Sequence, residues 1–246
     1  MYNLKDILIV GDSFASCRTL QTDWPKIVTD HLIKYTEYIQ PMGKGFAGAS
    51  WWSVKRFLND YLKTHTPKVL ILTHTECQRI PSNENYSLNY GSVFNAESYH
   101  KLKKQERDDE IPPYEVLIAG QSYYKYLYNQ DFHQWAKIQW FKELDELIKD
   151  IPVVIHLHVF YDENKFLYTF KNGLTFNKPL WGMSDDCKKL TNKMSTLTDR
   201  IQVVPENIWK DLQTRNHLTE ENNKKLASII IDAIENYSVG PRDIQL

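Results

Sequence analysis

Ser13, His217 and two glycine-bearing turns are the residues whose types suit nucleophilic acyl chemistry. A serine hydroxyl attacks a carbonyl once a neighbouring base takes its proton, and histidine has a pKa near the working pH. Ser13 stands in "ILIVGDSF", where four apolar residues run straight into Gly11-Asp12-Ser13. His217 stands in "RNHLTEENN", just ahead of an apolar-periodic segment. "GKGFAGAS" carries Gly45 and Gly48, and glycine lets backbone N–H groups approach a ligand closely, as an oxyanion-binding turn requires. "THTECQR" adds His74, Thr75, Glu76 and Arg79: imidazole, hydroxyl, carboxylate and guanidinium within six positions. The competing reading of Gly11-Asp12-Ser13 is a capping turn that ends one element and starts the next.

These residues need elements to hold them. "DILIV" (6–10), "EYIQPMG" (37–43), "KVLILTHTE" (68–76), "IPVVIHLHVF" (151–160) and "IQVV" (201–204) read as strands. Helical spacing of apolar residues predicts helices over 23–35, 53–65, 123–150 and 219–237, with Thr219 as the N-cap of the last. The helix over 123–150 has its period on Leu127, Trp135, Ile138, Phe141, Leu144 and Leu147, and reads chiefly as a core helix. Residues 80–122 read as a long polar and aromatic loop, and 161–200 as a second irregular insertion. Strands alternating with helices predict an α/β protein, a three-layer α/β/α sandwich around a five-stranded parallel sheet. No repeat or linker divides the chain, so residues 1–246 read as one domain. In an open parallel sheet, sites form at the carboxyl ends of strands, where all four candidate segments fall.

At these residues the chain resembles the SGNH (GDSL-type) hydrolases, whose domain is flavodoxin-like. "IVGDSF" is similar to the family's nucleophile block, and "WP" at 24–25 recurs in such proteins. "GFAGAS" (45–50) is similar to the block whose second glycine, Gly48 in this chain, gives an oxyanion-hole N–H. "RNHLTEENNKKLASII" (215–230) is similar to the last block, where the catalytic histidine precedes the C-terminal helix. The resemblance implies acyl transfer: Ser13 attacks an ester carbonyl, His217 takes its proton, and the N–H groups of Ser13 and Gly48 hold the oxyanion.

Two positions depart from the family pattern. The acid expected three residues before the histidine is Thr214, which leaves a Ser-His dyad oriented by a backbone carbonyl, by Asp211 or by Glu76. The third block's asparagine, an oxyanion donor, is replaced by Glu76, or by Thr75 on a shifted count, with His74 as another donor. An ionised carboxylate about 4 Å from an oxyanion repels it by roughly 4 kcal/mol at an effective dielectric of 20. Glu76 must therefore be protonated, or be turned toward a cation such as Arg79 or His217.

Composition bounds the function. A formal charge of −1 and pI near 6.7 give no basic footprint for nucleic acid. The N-terminus lacks a signal-peptide pattern and no run is long enough to span a membrane, so a cytoplasmic setting, or an assembled particle such as a virion, is expected. Cys17, Cys77 and Cys187 fit neither a disulfide framework nor a zinc site. His156 and His158 share a strand face but have no third metal ligand in view, so they read as core or rim histidines, and no cofactor is implied. The expected function is hydrolysis of acyl or acetyl esters, small or carbohydrate-linked. The alternative is a non-catalytic scaffold of the same fold, used for binding or assembly.

Overall fold

The computed structural model describes residues 6–15, 23–33, 49–82, 87–94, 96–97, 112–158, 168–176, 180, 218 and 220–242. Ile7–Val10 form β1, Val69–His74 β2, Val153–His158 β5, Leu174–Phe176 β6 and Gly240–Arg242 β7. They make one sheet in the order β1-β2-β5-β6-β7, every neighbouring pair parallel. β1, β2 and β5 are buried along their whole length, which is why their sequences are almost continuously apolar.

Side chains alternate across the sheet and feed two cores. Ile7, Ile9, Val69, Ile71, Ile155 and Leu157 pack with helices α1 (Trp24–Ile33) and α6 (Glu220–Glu235). Leu8, Val10, Leu70, Leu72 and Val154 pack on the other face with α2 (Trp51–Tyr61) and α5 (Gln130–Leu147). Helices on both faces of a parallel sheet make the three-layer sandwich that the alternating pattern predicts.

Several elements differ from the sequence reading. The expected strands at 37–43 and 201–204 lie outside the described residues, while β6 and β7 form the far edge of the sheet. Within 80–122, Ile80–Pro81 (β3) pairs antiparallel with Ser87–Leu88 (β4), followed by α3 (Tyr90–Phe94) and α4 (Tyr114–Tyr126). Ile80, Leu88, Val93, Leu117 and Tyr124 give this segment a small core of its own, so much of it is structure rather than loop. The expected helix over 123–150 is two helices, α4 and α5. Asn129 starts the second by accepting a hydrogen bond from the Phe132 N–H at 2.9 Å. That break rotates the apolar face: Leu127 and Trp135 are exposed, whereas His133, Lys137, Trp140, Phe141 and Leu144 are buried. Among the described residues no helix is long and apolar enough to cross a membrane.

Candidate functional site

β1 delivers Gly11-Asp12-Ser13 to the carboxyl edge of the sheet, and Ser13–Ala15 form one 3-10 turn there. Gly11 is required by close packing. A Cβ at this position would come within 1.8 Å of Thr73 Oγ1 and 2.5 Å of the Thr73 carbonyl oxygen. Asp12 is fully buried, and its Oδ1 accepts the Phe14 N–H at 3.1 Å, closing the turn. The Asp12 carbonyl accepts the Ala15 N–H at 3.0 Å. The side chain of Ser13, together with Gly48 and His217, lies outside the described residues.

β2 ends at His74, and the side chains of "HTE" go to different partners. Glu76 turns to Arg79: the guanidinium Nε donates to Glu76 Oε1 at 3.0 Å, and Nη1 lies 3.5 Å from Asp12 Oδ2. Arg79 also donates to the Ala49 carbonyl at 3.4 Å, next to Ser50, the N-cap of α2. Burial on its own would lower the Arg79 pKa, but Glu76 and Asp12 more than offset that and the net shift is upward. Asp12, Glu76 and Arg79 thus form one buried acid–base cluster behind the Ser13 turn. Of the orientations the sequence left open for Glu76, the turn toward Arg79 is the one the structure shows.

His74 goes elsewhere. In register with His158 and next to His156 across the sheet, it packs against Phe141 and Phe170, with ring centroids 5.0 and 5.4 Å away. The Asn172 carbonyl lies 2.9 Å from His156 Nε2 and only accepts, so that nitrogen carries the proton. His156 Nδ1 is then the acceptor for the His74 Nε2–H at 3.0 Å. Burial lowers the pKa of both rings, with His156 reaching about 4 against its hydrogen bond to Asn172; His156, Lys137 and His158 push His74 further down. The pair is a neutral core network. Gly173, at φ +112°, leaves room for His156, since a Cβ there would lie 2.6 Å from Nε2. Among the described residues no group of three or more His, Cys, Asp and Glu side chains is placed to hold a metal ion.

Two residues that sequence reasoning did not weigh for the site tie the ends of the chain together. The Trp24 indole N–H donates to the Phe14 carbonyl at 2.7 Å. The Trp24 backbone N–H, left without an intrahelical partner at the start of α1, donates to Asn223 Oδ1 at 3.0 Å. Asn223 Nδ2 donates in turn to the Leu218 carbonyl at 3.0 Å. Phe14 follows Ser13 and Leu218 follows His217, and both sit in the core between β1, α1 and α6. The available signal was Asn223 itself, a polar residue three and four positions before Leu226 and Ala227 on the apolar face of α6.

Compared with family models, curated proteins and solved structures, the chain finds no match.

Proposed function

We propose that the chain is a serine hydrolase of acyl or acetyl esters, small or carbohydrate-linked, working in the cytoplasm or within an assembled particle. Ser13 Oγ bonds to the ester carbonyl carbon while His217 takes its proton, and the carbonyl π pair moves onto oxygen. Collapse of that oxyanion breaks the C–O bond, and the leaving alkoxide takes the proton from His217. Water then repeats the sequence and releases the acid. The N–H groups of Ser13 and Gly48 are the oxyanion donors in this reading. Glu76 acts from behind the turn, through Arg79 and Asp12.

The observation that carries the reading is the hydrogen-bonded chain Phe14–Trp24–Asn223–Leu218. It joins the residues next to Ser13 and His217 although most of the chain separates them. The test is a fluorophosphonate probe with mass-spectrometric site mapping, alongside p-nitrophenyl acetate turnover. An adduct on Ser13, and turnover lost in Ser13→Ala and His217→Ala, is the expected result. No adduct at any pH, with turnover unchanged in both variants, leaves the non-catalytic scaffold.

A further inference from the structure

The corner where α4 turns into α5 keeps large apolar side chains out in solvent. Tyr126 and Leu127 are each 71% exposed, and Phe132 and Trp135 each 57%. The Phe132 and Trp135 rings lie side by side, with centroids 6.0 Å apart and planes 31° from parallel. The corner is fixed from beneath: the Tyr123 hydroxyl lies 2.8 Å from Nε2 of buried His133, Tyr128 stacks on the same imidazole at 4.8 Å, and Asn129 caps α5. Packing within the chain does not account for the exposure, since the inner face of α5 is filled by Trp140, Phe141 and Leu144.

Charge decides what this face fits. Lys125, with its ammonium 4.9 Å from the Tyr126 ring centroid, and Asp131 both stand exposed at the corner, and neither has an ion-pair partner among the described residues. Other exposed lysines pair locally: Lys63, Lys149, Lys224 and Lys225 each reach a carboxylate three or four residues away. One positive and one negative group at the rim make the face complementary to itself, because a two-fold axis can set Lys125 of each copy against Asp131 of the other. A lipid surface selects a basic excess, and a small ligand selects a hollow rather than side chains that stand out. The area agrees. At about 150–250 Å² per aromatic residue, the three rings and Leu127 present roughly 450 Å², the size of patches that mark binding sites on monomers. Two such faces with their charged rims bury on the order of 1,000 Å², where specific but weak association begins. We propose that the α4–α5 corner is the interface of a two-fold dimer of this chain, with Phe132 and Trp135 at its centre and Lys125–Asp131 pairs at its rim.

The test is sedimentation velocity from about 1 to 100 µM for wild type, Trp135→Glu, Phe132→Gln, Lys125→Glu, Asp131→Lys and the double charge swap, with circular dichroism to verify each fold. Wild type passes from monomer to dimer across that range. Trp135→Glu and Phe132→Gln raise the dimer Kd at least about tenfold with the fold intact, since both side chains are exposed. Either single charge reversal sets like charges across the axis and raises Kd several-fold, more so at low salt. The swap of Lys125→Glu with Asp131→Lys restores opposite charges and returns Kd toward wild type. A wild-type protein that is monomeric at about 100 µM overturns the proposal, and so does a Trp135→Glu protein that dimerises as well as wild type. A double swap no better than the single reversals overturns the two-fold pairing. Monomeric wild type that cosediments with vesicles of phosphatidylcholine and phosphatidylglycerol, where Trp135→Glu does not, overturns it in favour of a lipid surface.

Discussion

Replacing Arg79 by methionine isolates what the buried acid–base cluster does for the Ser13 turn. Asp12 is 0% exposed; one of its oxygens closes the turn at the Phe14 N–H, and the other lies 3.5 Å from Arg79. At that separation two unit charges attract by roughly 5 kcal/mol at an effective dielectric of 20, before the desolvation of either ion is counted. Methionine fills much of the arginine's volume but takes the guanidinium away from the buried Asp12 carboxylate. Removing one partner of a buried pair costs about 3–5 kcal/mol. The Glu76 side chain, 14% exposed, recovers some hydration and adds less. In a domain of this size, 1 kcal/mol corresponds to about 2–4 °C in Tm, so Arg79→Met melts on the order of 10 °C below wild type. The assay is thermal and urea unfolding at pH 7 of wild type, Arg79→Met, Asp12→Asn and the double variant. The double variant regains at least half of the loss, because the substituted amide still accepts the Phe14 N–H and the fully buried carboxylate charge is gone. An Arg79→Met protein within about 0.5 kcal/mol of wild type, the range of ordinary surface changes, refutes the reasoning.

Asn223→Asp keeps the acceptor for the Trp24 N–H but sets a carboxylate oxygen against the Leu218 carbonyl, so on the proposed serine-hydrolase reading probe labelling of Ser13 slows while the Trp24 amide stays protected in hydrogen exchange. Lost protection at Trp24 counts against that division of labour. Gly11→Ala forces a methyl onto Thr73 and costs at least about 1–3 kcal/mol in urea unfolding; adding Thr73→Ala relieves only part, since the backbone carbonyl is still 2.5 Å away. His156 folds neutral with its pKa depressed from 6.5 to about 4. Protons therefore favour the unfolded chain: its contribution is intact above about pH 6.5 and drains away as pH falls toward 4. His156→Gln flattens that part of the stability–pH curve, and urea midpoints at pH 7, 5 and 4 that track wild type contradict this.

The fold was legible where burial on both faces forces an unbroken apolar run, as in β1, β2 and β5, or a clean helical stripe, as in α1, α2 and α6. It was illegible where tertiary pairing alone makes an element. β6 is Leu174–Phe176 and β7 is Gly240-Pro241-Arg242, each too short to show a period, and the proline in β7 fits a strand that lies at the edge of the sheet among the described residues. The split between α4 and α5 had a local signal, Asn129 with Asp131 two residues on, which the aromatic density around it obscured.

The candidate site was half legible for a related reason: residue type names the chemistry, but the path of the backbone decides which partner each group meets. In "HTE" His74 ends β2 and goes to the core pair with His156, while Glu76, beyond the strand, turns to Arg79. That division constrains the mechanism. Glu76 commits Oε1 to a guanidinium that also faces Asp12, and Thr214 has no charge to offer, so unless Asp211 stands behind it the proposed His217 imidazolium forms without the carboxylate that triad enzymes place there. Losing that group in a triad costs up to about 10⁴-fold in kcat. A Ser-His dyad here therefore predicts slow acylation, and a site that depends more on its oxyanion donors than a full triad does.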